Sequence, residues 1–466
     1  MDPVILSRWQ FALTTIYHFF FVPLTLGLGW LVAILHTMYA SSGNPLYKRL
    51  TKFWGTLFVI NYAMGVVTGI VMEFQFGMNW SEYSRFVGDV FGAPLAIEGL
   101  LAFFLESTFI GVWIFGWDRI SKKLHAGVMW LIAIGGNLSA FWILIANGFM
   151  QHPVGYEIVN GQAQMVNFGA LLGNPRGIYL FIHTVSSGLV TGAFFMLGIS
   201  IYHLTRKREV EAFQKSFSLA AIVGLISAVL VGVTGHIQGV YLLDVQPMAA
   251  SASEGHYETA NPADFHVIAG FDTTENRVTW SVTIPKGLSL LYFFKPYGEV
   301  EGINQIQARY EEEFGPDNYI PNVPLAFWTF RIMVGVGMLM VLVALLALIL
   351  VYKKFPEKWL GHRSGWLVWI LLLPYIANTA GWLVTETSRQ PWVVHGLMLT
   401  RDAVSPTVTP GMVHTSVIGF TLIYLILMII DVYLLVYFSK KGLAAGELES
   451  VPIAEEVNTK KRGGKK

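Results

Sequence analysis

Residues 94–115 read P-L-A-I-E-G-L-L-A-F-F-L-E-S-T-F-I-G-V-W-I-F and decide the fold, because the stretch is long and apolar enough to cross a bilayer yet contains two carboxylates. An acid near the membrane centre costs about 3 kcal/mol, so Glu98 and Glu106 are expected to be paired, hydrated or used in proton movement. In a regular α-helix they lie roughly 80° apart around the axis and about 12 Å apart along it, so both can face one bundle interior. The alternative for each is a structural acid that is hydrogen-bonded to a neighbouring helix.

The composition indicates a polytopic membrane protein in contact with a lipid bilayer. The chain has 466 residues, of which 54% are hydrophobic and 13% charged, whereas soluble proteins carry about 25% charged residues. The absence of cysteine excludes disulfides, thiolate iron–sulfur clusters and covalent c-type haem attachment. A metal centre would therefore use histidine, methionine or carboxylate. A net charge of +1 gives no reason to expect a nucleic-acid partner.

Nine apolar segments have spanning length, which predicts an all-α membrane protein with about nine transmembrane helices. They are residues 11–39, 53–72, 94–117, 126–149, 177–204, 217–241, 324–352, 365–385 and 411–438. Most of the 31 lysines and arginines lie in alternate loops and in the C-terminal tail. Because positive charge concentrates in cytoplasmic loops, the N-terminus is expected outside and the C-terminus in the cytoplasm.

The predicted organisation has four parts. Residues 1–236 contain helices one to six, residues 237–323 form an extracytoplasmic loop, and residues 324–438 contain helices seven to nine. Residues 439–466 form a basic cytoplasmic tail, whose polar end, residues 447–466, is expected to be disordered. Alternation in residues 277–284, R-V-T-W-S-V-T-I, predicts a strand in the loop. Loops this long tend to be functional, so this one is a candidate substrate lid, with a structural cap as the alternative.

Several ligand-type side chains are predicted to share the outer leaflet, because they lie near the starts of odd-numbered helices or near the end of the eighth. A lone histidine in a span often makes an interhelical hydrogen bond, and a lone methionine usually packs. Together in a cysteine-free protein they favour haem, whose iron takes histidine or methionine/histidine ligands. Arginines at the same level can pair with haem propionates, although they can also set topology or pin loops. The residues are His18, Glu98, His183, Met333, Glu386, Arg8, Arg331 and Arg389.

Short strings along all nine spans carry a specific resemblance. They are S-R-W-Q-F-A (7–12), Y-H-F-F-F-V-P-L-T (17–25), T-K-F-W-G (51–55), M-E-F-Q-F-G-M-N-W (72–80), G-A-P-L-A-I-E-G (92–99), F-L-E-S-T-F (104–109), H-T-V-S-S-G (183–188), F-R-I-M-V (330–334) and S-R-Q-P-W (388–392). The sequence resembles subunit I of the cytochrome bd ubiquinol or menaquinol oxidase family. The long loop and the tail match less well.

The resemblance implies three haems. His18 would ligate the oxygen-site haem, a haem d or a third b-type haem, with Glu98 near it. His183 and Met333 would ligate a low-spin haem b. Glu386 would serve a high-spin haem b. Trp382 would lie between haems as an electron-transfer aromatic, although a packing role is the alternative for a tryptophan in a membrane protein.

The resemblance also implies a proton path and a quinol site. Four residues match proton-conducting or haem-neighbouring positions of the family: Glu106, Ser107, Ser139 and Asn147. The alternative for Ser139 is a packing role, because a lone serine in a span more often joins neighbouring helices. Asp244, Gln246 and Glu254 match the quinol-binding loop. That loop departs from the family here, because residues 248–253, M-A-A-S-A-S, lack the lysine that many relatives carry. An exposed loop glutamate is usually only solvated.

The implied function is a terminal oxidase in the bacterial cell membrane that oxidises ubiquinol or menaquinol outside and reduces dioxygen to water with cytoplasmic protons, generating proton motive force without a pump. Its expected partners are subunit II and a small single-span accessory subunit. Two other functions stay open. A haem b membrane anchor of a quinone-linked dehydrogenase needs only the low-spin ligands. A proton-coupled transporter would also use acids in its spans, but such folds favour repeats and broken helices, which the sequence does not display.

Overall fold

The computed structural model describes residues 2–354 and 362–447, and within these ranges nine helices are long and apolar enough to span a membrane. The predicted all-α membrane fold and each of its nine segments are confirmed. In chain order the α-helices are α1 (Pro3–Ser42), α2 (Pro45–Met78), α3 (Ser81–Ile97), α4 (Phe104–Phe115), α5 (Lys122–Gln151), α6 (Phe168–Leu172), α7 (Pro175–Thr205), α8 (Val210–Val245), α9 (Pro247–Glu254), α10 (Gly287–Phe293), α11 (Ile303–Phe314), α12 (Val323–Tyr352), α13 (Leu373–Ser388) and α14 (Pro410–Lys441).

Two spans are not regular α-helices, contrary to expectation. The third consists of α3 and α4 joined by a π-helical segment, Glu98–Phe103. The eighth begins with a 3₁₀ segment, His362–Leu372, before α13. Wider π-helical turns change the angular spacing of side chains. The separation of roughly 80° expected for Glu98 and Glu106 in a regular α-helix therefore does not apply. Such segments often occur at functional sites.

Polar caps and prolines start several of the long helices. The side chain at the cap accepts a hydrogen bond from a backbone N–H of the first turn, which satisfies a group that has no partner inside the helix. A proline at the first or second position is tolerated there because its missing N–H would be unpaired anyway. The caps before α1, α2, α7, α12 and α14 are Asp2, Asn44, Asn174, Asn322 and Thr409.

Glycines allow α1 and α7 to cross at very short range. A Cβ placed on Gly27 would lie 1.8 Å from the backbone oxygen of Gly188, and one on Gly192 would lie 2.6 Å from the backbone of Gly27. Gly188 and Gly192 form a small-xxx-small pattern, which lets helix backbones approach closely in membranes. This crossing brings together the two helices that carry His18 and His183.

Replacing Gly27 by alanine is therefore expected to destabilise the protein by about 1–3 kcal/mol, because the new methyl group collides with backbone that cannot rotate away. Thermal unfolding of the purified protein in detergent measures the effect. Gly419→Ala on α14 is the control, since a Cβ there meets nothing within 4 Å. Equal melting temperatures for the two variants would contradict the close crossing.

The long connection after α8 is a folded unit rather than an irregular loop. Strands β3 (Phe265–Asp272) and β4 (Arg277–Ile284) form an antiparallel hairpin, which confirms the predicted strand. The unit has its own buried cluster, which includes Tyr257, Ile306 and Tyr310. Helix α8 continues to Val245, past the boundary expected at residue 236, because helical hydrogen bonding persists into a polar stretch.

Two smaller hairpins complete the fold. The sequence reasoning missed β1 (Tyr156–Val159) and β2 (Gln162–Met165), although the turn between them is Asn160-Gly161, a strong signal for a type I′ hairpin. Strands β5 (Trp392–Val394) and β6 (Met398–Leu399) follow α13, and Trp392 stacks on Tyr319 with ring centroids 5.4 Å apart.

The start of the predicted tail is ordered. Helix α14 is followed by a 3₁₀ segment, Gly442–Glu447, in which Leu443 is buried and donates its backbone N–H to Glu209 at 2.9 Å. The rest of the tail, from residue 448 onward, lies outside the described residues.

Candidate functional site

The His18 imidazole on α1 is oriented by α2. Its Nδ1 lies 2.9 Å from the hydroxyl oxygen of Thr68. That hydroxyl donates its own hydrogen to the carbonyl oxygens of Met64 and Gly65, each at 3.0 Å. Because the threonine hydrogen is already used, Nδ1–H must donate to the threonine oxygen. The imidazole is therefore the Nδ1–H tautomer, and its Nε2 lone pair has no hydrogen-bond partner among the described side chains.

His183 on α7 repeats this arrangement against α8. Its Nδ1 lies 3.1 Å from the hydroxyl oxygen of Thr234, which donates to the carbonyl of Leu230 at 2.8 Å. The same reasoning makes His183 an Nδ1–H donor with a free Nε2. A hydrogen bond at the second ring nitrogen is what metal-bound histidines use to fix their tautomer and orientation.

A glycine follows each of the two threonines and faces the imidazole. A Cβ on Gly69 would lie 3.1 Å from Cε1 of His18, and one on Gly235 would lie 3.3 Å from Cε1 of His183. A Cβ on a third glycine, Gly381 on α13, would lie 3.2 Å from Sδ of Met333. All three ligand-type side chains are thus bordered by a position without a side chain.

Trp382 is the neighbour of Gly381, the glycine that borders Met333, and it contacts the residue after His18. It follows Gly381 in α13, and its ring packs edge-on against Phe19 with centroids 5.2 Å apart. Phe19 is the residue after His18. The side chains of Met333 and Trp382 are half-buried, and no hydrogen bond joins Met333 to His183 in the described part of the chain.

Glu386 and Arg389 form an ion pair one turn apart on α13. The carboxylate uses only one oxygen, and Oε1 of Glu386 is buried without a hydrogen-bond partner. Arg389 is 4% exposed, and its Nε and Nη1 are also buried without partners. Buried polar atoms normally have partners, so this carboxylate and this guanidinium form a candidate ligand position.

Sequence reasoning missed Arg176, at the second position of α7. Its side chain is 3% exposed and donates to the side-chain oxygens of Gln151 and Gln238. Gln151 in turn donates to the predicted residue Asn147 at 2.8 Å. A buried arginine held by amides alone is unusual, but a single sequence cannot reveal it, because Arg176 and its two partners come from three different helices.

Both acids of the third span face the same strip of α5. Ser139 donates a hydrogen bond to Glu98. Oε1 of Glu106 lies 2.9 Å from the position of a Cβ on Gly136. Gly136 and Ser139 are three residues apart, so they share one face of α5. Ser107 is exposed, and its hydroxyl lies 3.4 Å from that of Tyr62.

In the loop unit, Glu254 is buried and not a solvated acid. Its carboxylate is 2.7 Å from Nη2 of Arg331, and the Tyr292 hydroxyl donates to it at 3.4 Å. Arg331, predicted to pair with a propionate, also donates to the carbonyl of His266, and only its Nη1 is buried without a partner. Two predicted residues, one for quinol and one for haem, therefore pair with each other.

The remaining predicted residues have less specific surroundings. Gln246 is buried and donates its amide N–H to the backbone carbonyl of Gln151. Asp244 is exposed near the end of α8, and Arg8 is exposed in the first turns of α1. The structure gives these last two no direct contact with the histidines.

The donor set fits haem. The imidazoles of His18 and His183 each have a free Nε2, and the thioether of Met333 borders a glycine. One carboxylate oxygen of Glu386 and two nitrogens of Arg389 have no hydrogen-bond partner. These are the groups that bind haem iron and haem propionates. His18, His183, Met333 and Glu386 would hold the irons.

Replacing Thr68 or Thr234 by valine is expected to reduce haem retention by about 10–100-fold, because valine keeps the shape but cannot accept the Nδ1 hydrogen bond. Thr→Ser variants keep the acceptor and are the conservative comparison. Haem content per protein and the absorption spectrum at each site report the change. Full haem content with unaltered spectra in both valine variants would contradict the orienting role.

The fold and the site define a class: a multi-pass membrane protein with ligand-type histidine, methionine and carboxylate side chains inside its spans. Comparison with known proteins agrees. A family model described as cytochrome bd terminal oxidase subunit I matches residues 6–443. The chain belongs to this haem-containing family of quinol:oxygen oxidoreductases, which confirms the resemblance found in the sequence.

Individual relatives cover nearly the whole chain. The chain is 49% identical to cytochrome bd ubiquinol oxidase subunit 1 of Bacillus subtilis (strain 168), over 98% of this chain and 97% of that protein. It is 39% identical to cytochrome bd-II ubiquinol oxidase subunit 1 of Escherichia coli (strain K12), over 96% and 98%. The solved bd oxidase from Geobacillus thermodenitrificans matches with a TM-score of 0.85 at 29% identity, over 94% and 99%.

Proposed function

We propose that this chain holds three haems of a terminal oxidase. His18 ligates the oxygen-site haem, a haem d or a third b-type haem; His183 and Met333 ligate a low-spin haem b; and Glu386 ligates a high-spin haem b. Bound there, the haems supply electron transfer and the reduction of dioxygen. Trp382 is proposed as an electron-transfer aromatic between haems, which its contact with Phe19, the residue after His18, supports.

This proposal rests mainly on the hydrogen-bonding arrangement that His18 and His183 have in common. In each, a threonine whose own hydrogen is used within its helix accepts Nδ1–H, so that Nε2 is left as a free, oriented lone pair. A histidine that only joined two helices by a hydrogen bond would not require a glycine beside its Cε1 atom. Histidines prepared in this way are ready to bind a metal at Nε2.

The proton path is proposed to follow the third and fourth spans. His125, near the cytoplasmic end of α5, leads towards Glu106, and Glu98 follows on the same strip of α5. The hydroxyl of Ser139 contacts Glu98, so a proton can be held and passed at that carboxylate. Ser107 and Asn147 extend the polar lining. Taking protons from the cytoplasm in this way separates charge without a pump element.

The quinol site is proposed at Glu254, with Asp244 and Gln246 in the same loop unit. The carboxylate of Glu254 is the group that would accept a quinol proton, and Arg331 and Tyr292 hold it in place. Relatives are named as oxidases of ubiquinol and of menaquinol, so either quinol is proposed as substrate. Arg331 on α12 supplies a positive charge beside this carboxylate.

The proposed setting is the cytoplasmic membrane of a bacterium, with the loop unit outside and the C-terminus inside. The lysine and arginine bias of the loops supports this orientation. Partners are subunit II of the oxidase and a small single-span accessory subunit. Arg8, Arg331 and Arg389 are proposed to meet haem propionates, and Arg389 has the free N–H groups to do so.

A reduced-minus-oxidised absorption spectrum of the purified complex, with quinol-driven oxygen uptake, tests the proposal. We expect signals from three haems, one of which binds carbon monoxide. A single low-spin haem would instead indicate a membrane anchor of a dehydrogenase. A colourless preparation would indicate a transporter.

A further inference from the structure

The carboxylate proposed to accept a quinol proton is closed off from solvent. Glu254 is 2% exposed, and one of its oxygens lies 2.7 Å from Nη2 of Arg331. Its other oxygen accepts a hydrogen bond from the Tyr292 hydroxyl at 3.4 Å, and Tyr292 is itself 7% exposed. Protonation of the carboxylate would break its charge-assisted pairing with the guanidinium, so a proton is held there only in passing. The proton therefore needs a further acceptor inside the loop unit.

The first candidate acceptor is His266 in β3, which is held by the same arginine. Nε and Nη2 of Arg331 donate to the backbone carbonyl oxygen of His266 at 2.9 and 2.7 Å. A single nitrogen, Nη2, thus contacts both this carbonyl and the carboxylate of Glu254. In the imidazole of His266, Nδ1 is buried and has no hydrogen-bond partner among the described residues.

A second imidazole lies beside the first. His256 follows Glu254 by two residues and is 6% exposed, and its Nε2 is likewise buried without a partner in the described part of the chain. The ring centroids of His256 and His266 are 6.5 Å apart, a separation that one water molecule can bridge. The backbone N–H of His256 donates to Ser251 at 2.9 Å, and its carbonyl accepts from Ile303 at 3.0 Å, so the ring is carried by fixed backbone.

Both imidazoles are in the state that a proton carrier needs. Burial lowers the pKa of His256 and of His266, so each ring is neutral at physiological pH. A neutral imidazole accepts a proton at one nitrogen and releases one from the other. Buried polar atoms normally have partners, so two adjacent rings with one unpaired nitrogen each call for a physical reason beyond packing.

Beyond the second ring, the chain reaches the surface of the loop unit. Glu258, two residues after His256, is exposed. The side-chain amides of Gln305 and Asn304 donate to its two carboxylate oxygens at 2.8 and 2.6 Å, and these hydrogen bonds lower the pKa of Glu258. This carboxylate is consequently ionised at physiological pH and can receive a proton next to bulk water.

We propose that His266 and His256 carry the protons of quinol from Glu254 to the outer surface of the loop unit. Oxidation of one quinol breaks two O–H bonds; the two electrons pass to the haem chain, and the two protons leave one after the other along this path. Glu258 is the last acceptor before bulk water. The inference rests on the proposed function and adds two proton-transfer residues to the quinol site.

The test measures oxygen uptake by the purified complex with a short-chain quinol. We expect His256→Ala and His266→Ala to slow uptake by about 100-fold while haem content stays complete. Reduction of the haems by dithionite, which needs no quinol proton to leave, should be unchanged. His256→Gln and His266→Gln keep a polar side chain that cannot carry a proton, and they should be as slow as the alanine variants.

Chemical rescue separates proton transfer from packing. Imidazole added to the buffer should restore uptake in the two alanine variants, because it can occupy the space of the missing ring and carry a proton. Pyrrole has a ring of the same size that does not accept a proton at neutral pH, and it should not restore uptake. His414→Ala is the matched control, since His414 is an exposed histidine on α14, and this variant should behave as the unmodified complex in both buffers.

Unchanged uptake in both alanine variants would overturn the inference. A loss that imidazole does not restore, or that pyrrole restores equally well, would overturn it too, because the rings would then serve only packing. If the unmodified complex itself contained no haem or did not oxidise quinol, the proposed function would fail instead, so the two failures are distinguishable.

Discussion

Changing His183 and Met333 together to alanine is expected to remove the absorption bands of the low-spin haem and to lower quinol-driven oxygen uptake by more than about 100-fold. A low-spin haem needs both axial positions filled, and these two side chains are proposed to fill them. Loss of a hydrogen bond to a ligand already costs up to about 100-fold in metal affinity, so loss of the ligands should cost more. Spectra and oxygen uptake of the purified variant measure both effects.

The matched control replaces a histidine and a methionine with no proposed role. His414 on α14 is exposed, and Met338 on α12 is 70% exposed, five residues from Met333. The double variant His414→Ala, Met338→Ala should keep the spectrum and the activity of the unmodified complex. Intact low-spin bands after loss of His183 and Met333 would refute the ligand assignment.

Changing Glu106 to glutamine is expected to slow quinol-driven oxygen uptake by about two orders of magnitude while haem content stays complete. The side chain is 7% exposed and faces Gly136 of α5. An amide of the same shape keeps the packing but cannot carry a proton. Oxygen uptake and haem content, measured on one preparation, separate lost proton delivery from lost assembly.

A second buried acid provides the comparison for Glu106. Asp431 on α14 is 3% exposed and has no place in the proposed path. Asp431→Asn should leave oxygen uptake nearly unchanged. An equal loss in both variants would mean that burial of an acid, rather than its position on the path, explains the effect, and the proton role of Glu106 would fail.

Much of the fold was predictable, because spanning length and hydropathy are local properties. All nine spans and strand β4 were located from short stretches of sequence. The π-helical segment at Glu98 was not predicted, because apolar residues satisfy an α-helix and a π-helix equally well. Hairpin β1–β2 was missed, although the Asn160-Gly161 pair is a strong signal for a hairpin turn.

The candidate site was predictable only in part. The residue types that ligate haem are chemically distinctive, so His18, His183, Met333 and Glu386 could be singled out along the chain. Arg176 could not, since its significance lies in having only amides around it. Glu254 and Arg331 were assigned separate roles, and only the folded loop unit brings them to 2.7 Å.

The amino-acid sequence alone determined that this chain crosses the membrane repeatedly, lacks thiolate chemistry and carries ligand-type side chains inside its spans, because each of these depends on composition or on the order of neighbouring residues. Tertiary structure alone decided which nitrogen of His18 and His183 is free, which carboxylate Arg331 meets and which buried charges lack a counter-ion. Those properties depend on groups that different helices bring within hydrogen-bonding distance, and only the packing of the helices determines which groups meet.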